Sequence, residues 1–276
     1  MYLDRKQAAA LGRETLEIVR RGRYDGPAGG VDLQPSIDRA IAETADYRFD
    51  SSIPDVDRPS DQVATQFWVA NETSLARARA LAEAGQRPMV LNFASAKNPG
   101  GGFLSGARAQ EESLACRSAL IACLEGRPMY EFHRQRRDPL YTSWAMYSPD
   151  VPVFRDDAGS LLPAPYACSF ITAPAPNAKV VLQRAPERAG EVASAMRERV
   201  DRVLAIAAAH GERDLVLGAW GCGVFGNNTR DVAEMFADAL SGRFAAVFHS
   251  VSFAVLDSSQ SRKFIGPFEE RFGAAA

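Results

Sequence analysis

Residues 88–94, PMVLNFA, constrain this chain more than any other segment. A near-continuous apolar run of strand length fits a central strand covered by helices on both faces. A half-exposed antiparallel strand would alternate apolar and polar residues instead. The surrounding sequence agrees. ATQFWVA (64–70), TSWAMYS (142–148), YACSFIT (166–172), DLVLGA (214–219) and AVFHSVSFAVL (246–256) read as further strands. Helical patterns fall at 73–84, 110–124, 187–209, 229–240 and 261–268. Strands alternating with helices predict an α/β class of three layers, with a mainly parallel or mixed sheet between helices.

The first sixty residues read differently. A helix is expected over 3–21, where Ala8, Leu11, Leu16, Ile18 and Val19 lie among charges and Gly22 stops it. Residues 22–60 are rich in Pro and Gly, and Ser36 is placed to cap a short helix ending near Ala45. This stretch is too short and too poor in apolar residues to bury its own core. The expectation is a helical and loop extension, residues 1–60, packed on a main domain, residues 61–276. The Ala274, Ala275 and Ala276 tail is expected to fray.

Composition narrows the chemistry. Lys and Arg total 32 against 34 Asp and Glu, a net charge of -2, so the basic footprint that drives DNA binding is missing. No apolar run reaches membrane-spanning length. The first twenty residues carry no signal-peptide core, and a cytoplasmic protein is expected. The cysteines, Cys116, Cys123, Cys168 and Cys222, form no CxxC pair and read as buried small hydrophobes. His133, His210 and His249 share no metal-ligand spacing, so neither a metal nor a cofactor is expected. Chemistry in such a chain falls to carboxylates, backbone amides and amide side chains.

Two glycine clusters each follow a strand candidate and precede a helix candidate. The first is Asn98-Pro99-Gly100-Gly101-Gly102; the second runs from Gly218 through Gly221, Cys222, Gly223, Val224, Phe225, Gly226 and Asn227. Glycines alone serve tight turns. At the carboxyl ends of strands in an α/β sheet, they also let backbone N–H groups approach an anion with no Cβ in the way. Two such loops suit a ligand with more than one phosphate. Neither matches a dinucleotide fingerprint or a P-loop.

Seven residues separate Gly102 from Gln110-Glu111-Glu112, which open a helix that is apolar nearly all round past Ser118. Such a helix is buried, so its polar first turn faces the glycine loop. The two acids could simply complement the helix dipole. Neighbouring helical residues diverge by about 100°, so two carboxylates here would take different jobs.

These motifs carry a resemblance. The GGG…QEE spacing resembles the signature of poly(ADP-ribose) glycohydrolases, and LNFASAKNPGGGFLSGARAQEESLA resembles their bacterial, or microbial-type, branch. YSPDVPVFRDD (147–157), ITAPAPN (171–177) and LGAWGCGVFGN (217–227) extend the likeness from about residue 60 to the C-terminus. The resemblance implies a macrodomain fold, a mixed sheet between helices that binds ADP-ribose at the strand ends. It implies hydrolysis of ribose–ribose bonds in poly(ADP-ribose) from chain ends, without a metal, by a monomer acting on ADP-ribosylated proteins.

Carried over by motif position, Glu112 is the catalytic acid and Glu111 orients the scissile bond. Asn98, Gly100, Gly101, Gly102 and Gln110 belong to the ribose end. Gly221, Cys222, Gly223, Val224, Phe225, Gly226 and Asn227 wrap the diphosphate, with Phe225 near the distal ribose and Asn227 closing the loop. Two other readings on the same scaffold are a macrodomain that binds ADP-ribose without cutting it and a hydrolase of mono-ADP-ribose. Glu111 and Glu112 argue against the pure binder, which needs no carboxylates facing a sugar.

Overall fold

The computed structural model describes residues 4–56 and 63–273. The expected boundary at residues 60 and 61 and the alanine tail lie outside the described residues. A seven-stranded sheet forms the middle layer, in the order β3-β6-β7-β5-β8-β9-β4. Its strands are β3 (Ala45–Tyr47), β4 (Gln66–Ala70), β5 (Pro88–Phe93), β6 (Ala145–Arg155), β7 (Leu161–Ala173), β8 (Asp214–Leu217) and β9 (Ser250–Ala254). The five strands from β7 to β4 run parallel, while β3/β6 and β6/β7 pair antiparallel. The mixed three-layer α/β architecture expected from the sequence is the one observed.

The apolar run 88–94 explains the layering. Within β5, Met89 and Leu91 face one core and Val90 the other, and all three are fully buried. β8 repeats the pattern, with Leu215 and Leu217 against Val216. Beneath one face lie α8 (Ala189–Ala209), α9 (Thr229–Ser241) and α10 (Gly266–Phe272). Beneath the other lie α1 (Arg5–Arg21), α2 (Gln34–Glu43), α3 (Ser74–Glu83), α4 (Gln110–Ala115), α5 (Leu120–Leu124) and α6 (Pro128–Arg136). The short α7 (Ala178–Arg184) follows β7.

Several local expectations are corrected. The stretch after α1 holds a hairpin, β1 (Arg23–Gly26) with β2 (Gly29–Asp32), and β3 joins the main sheet at its edge. Ser36 does not cap α2: Pro35 sits in the first turn, and Asp32 Oδ1 accepts from Gln34 N at 3.0 Å. The helix expected over 110–124 is two pieces. At 116–119 the backbone turns to β6 instead. Ala119 N donates to Pro152 O and Phe154 N to Arg117 O, both at 3.0 Å, while Ser118 bridges Val153. The strand expected over 142–148 runs over Ala145–Arg155, through Pro152, whose carbonyl accepts the Ala119 bond. The last helix begins later than expected, at Gly266.

Candidate active site

Both glycine loops hang from the carboxyl ends of neighbouring strands, β5 and β8, and open on one cleft of about 960 Å³. Gly100 and Gly101 lie at φ +69 and +61, the left-handed region that favours glycine. A Cβ on Gly101 would run into the Glu112 carboxylate. The tight loop is therefore what brings the backbone against the acids.

The acids are held differently. Glu112 is the third residue of α4 and reaches back, its Oε2 accepting from Ala109 N at 3.0 Å, in the manner of a capping-box glutamate. Its Oε1 accepts from Gly102 N at 2.8 Å. Two backbone donors thus fix the carboxylate across the gap between loop and helix. Glu111 accepts one bond of good geometry, from Ser95 N to Oε2 at 2.7 Å, and its buried Oε1 has none. Burial pushes the Glu111 carboxyl well above its ordinary value; the Ser95 bond opposes this and the nearby Glu112 charge adds to it.

Gln110, expected at the ribose end, spends its amide on the scaffold. Its Oε1 accepts from Phe93 N at 2.9 Å, and its Nε2 donates to Leu91 O at 2.8 Å and Ser74 Oγ at 3.2 Å. The side chain ties α4 to the edge of β5. Asn98 is exposed on the cleft rim, where its carbonyl accepts from Gly101 N at 3.0 Å.

In the second loop, Gly221, Gly223, Val224 and Phe225 line the cleft. Cys222 turns inward and burial pushes its thiol up to about 12, so only its backbone is on offer there. Gly226 has φ +68 and sits against Lys179. Asn227 ties the two ends of the loop, its Nδ2 donating to Gly221 O at 3.0 Å and Pro176 O at 2.9 Å. Gly100, Gly226 and Asn227 support the cleft from behind and do not line it.

Sequence reasoning missed part of the lining. Ser95 and Tyr141 carried no local signal. Phe264 and Phe268, four residues apart, divide: Phe268 is fully buried in the core and Phe264 lines the cleft. Asp157, at the tip between β6 and β7, lines the cleft and accepts from Thr73 Oγ1 at 2.7 Å.

With this geometry in hand, the chain can be set beside known proteins. The family described as microbial-type PARG, catalytic domain, matches residues 12–156. No curated protein sequence matches. Among solved structures, the poly(ADP-ribose) glycohydrolase of Thermomonospora curvata is 45% identical, with a TM-score of 0.91 over 97% of this chain and 100% of that one. The same enzyme bound to the inhibitor ADP-HPD is 46% identical over the same shares, with a TM-score of 0.86. The poly(ADP-ribose) glycohydrolase of Deinococcus radiodurans in complex with ADP-ribose is 43% identical, with a TM-score of 0.78 over 86% of this chain and 97% of that one.

Proposed function

The chain belongs to the microbial-type poly(ADP-ribose) glycohydrolases, and from that premise we propose how its cleft divides the work. The reaction is hydrolysis of the ribose–ribose O-glycosidic bond, releasing ADP-ribose. Relatives bound to ADP-ribose and to ADP-HPD support the same ligand class here. The diphosphate lies along the backbone of residues 221–225, and the terminal ribose against Asn98, Gly101 and Gly102. Phe225 packs near the distal ribose. Backbone amides suit this polyanion in a chain without excess basic charge.

The observation that carries the reading is the pair of acids fixed by backbone donors beside the first glycine loop, in the cleft that the second loop shares. Glu112 is the acid: its carboxyl protonates the departing ribose oxygen, and as carboxylate it then helps activate water while an oxocarbenium-like ribose collapses. Glu111 hydrogen-bonds the ribose hydroxyls and sets the scissile bond. Both acids come from one helix, so this is not the usual arrangement of carboxylates on opposite sugar faces. The substrate's own phosphate then helps to position the water.

Cleavage proceeds from chain ends. One margin of the cleft is walled by the tip between β6 and β7, where Arg117 Nη2 donates to Asp157 O at 2.8 Å and Thr73 holds the Asp157 carboxylate. A polymer threading through the cleft would have to cross that wall. The proposed reaction runs without a metal, its proton transfers and charge stabilisation assigned to Glu112, Glu111 and backbone amides. The test is a time course on poly(ADP-ribose) with and without EDTA, with products resolved by size. ADP-ribose is expected from the earliest point in both. Early oligomers would overturn cleavage from ends, EDTA sensitivity would overturn metal independence, and tight binding without products would make the chain a binder.

A further inference from the structure

The segment before β6 contains a residue under backbone strain. Tyr141 adopts φ +58, in the left-handed region, which a bulky residue occupies only when its surroundings hold it there. Two buried polar side chains supply that hold. From α8, Arg199 donates through Nη2 to Leu140 O at 2.6 Å and through Nε to Thr142 O at 3.1 Å. From α6, His133 Nε2 accepts from Thr142 N at 3.1 Å and pairs with Thr142 Oγ1 at 2.9 Å. Since Thr142 N can only donate, that ring nitrogen is an acceptor and the imidazole is neutral. Burial, with the Arg199 and Arg136 charges, pushes His133 down to about 4 and keeps it so.

The held residue faces the cleft. Tyr141 is half-buried and lines it, and its ring centre lies 6.0 Å from that of Phe225. Backbone bonds bind the two aromatics to one frame. Asn177 N donates to Pro139 O at 2.9 Å, and Lys179 N donates to Phe225 O at 2.8 Å. A mere connection between α6 and β6 needs neither strain nor two buried polar groups from separate helices.

We propose that Tyr141 contacts substrate as the second side of an aromatic corner with Phe225, and that His133 and Arg199 are positioning residues that hold it there. The corner sits beside the diphosphate loop and offers a flat apolar wall to a ribose face. The proposal rests on the ADP-ribose reading of the cleft.

Tyr141→Asn tests the contact, because Asn accepts the left-handed conformation and removes the ring. ADP-ribose binding by calorimetry should weaken about tenfold, with KM raised and kcat within about threefold, at an unchanged melting temperature. Tyr141→Phe should lose far less. Unaltered affinity in Tyr141→Asn would overturn the proposal alone; wild-type protein that does not bind ADP-ribose would overturn the cleft reading as well. Positioning is tested by non-additivity. His133→Leu should weaken binding in the wild-type background and add nothing in Tyr141→Asn, while His133→Gln, which restores an acceptor, should recover most of the loss. An equal factor in both backgrounds would make His133 merely structural. Thr142→Val, which removes the hydroxyl bond and keeps the backbone, gives the same reading should His133→Leu fail to fold.

Discussion

Asp257 and Glu111 both expose little surface, 7% and 4%, but Asp257 lies near the protein surface and Glu111 deep inside, and their acidities are driven in opposite directions. Asp257 follows β9 and is saturated with donors. Its Oδ1 accepts from Ser259 N at 2.8 Å, and its Oδ2 from Phe264 N at 2.7 Å and Ile265 N at 3.1 Å. Its backbone is locked to the Asn71 side chain in both directions. Burial alone would raise this carboxyl, yet the Ser259, Phe264 and Ile265 donors hold it at about 2. At Glu111 burial outweighs the backbone donors of Ser95, Gly100 and Gly101, and the carboxyl, one oxygen of it orphaned, is left high. Depth and internal donors together set the contrast. Unspent bonding capacity, as at Glu111 Oε1, is what remains for a substrate.

The sharpest way to break this contrast is to remove each proton-bearing group in turn. Glu112→Gln keeps the shape and one of the two backbone bonds, and turnover should fall about 10² to 10⁴-fold while calorimetry still finds ADP-ribose bound. Glu111→Gln should cost less in turnover; the reverse order would exchange their roles. The same division separates two glycines of one loop. A Cβ on Gly223 meets nothing, so Gly223→Val should weaken ADP-ribose binding about a hundredfold with the melting temperature kept. A Cβ on Gly221, at φ +73, would come within 2.6 Å of Ala175 and Asn227, so Gly221→Ala should lower the melting temperature.

At the other end, Asp257→Ala strands three donors and should cost about 2 kcal/mol in denaturant unfolding, with kcat little changed. The smallest effect is in pH. The folded pKa of Asp257 lies below its unfolded value, so its stabilisation is present above about pH 4 and lost as pH falls toward 2. The folded pKa of Glu111 lies above its ordinary 4.5, so stability is full below that value and declines as pH rises through the raised pKa. Glu111→Gln should accordingly be more stable than wild type by about 1 kcal/mol in mildly alkaline buffer, with the gap closing in acid. Parallel stability curves for the two proteins would contradict the account of Glu111.

What could be read from the sequence was what is encoded locally. The β5 run, both glycine loops and the Glu111-Glu112 pair announce themselves within a few residues, because strand burial and loop chirality are local requirements. The break at 116–119 was hidden, since apolar periodicity continues through it and only the pairing of Ser118 with Val153 ends the helix. Gln110 looked like part of a binding motif, and its amide is taken by Phe93 and Leu91 through a fold in the chain. Tyr141 was invisible because a tyrosine gives no sign of positive φ; that conformation is imposed by His133 and Arg199.

The adjacency of β5 and β8 has a mechanical consequence. Neighbouring strands are held about 4.8 Å apart by their backbone ladder, so the roots of the two ligand loops are spaced by the sheet and not by the loops themselves. The two jaws share one rigid hinge pin that does not turn. The spacing of the two loop roots is therefore set by the sheet before any ligand arrives. Lengthening either loop would change what overhangs the cleft and leave the spacing of its roots as it was.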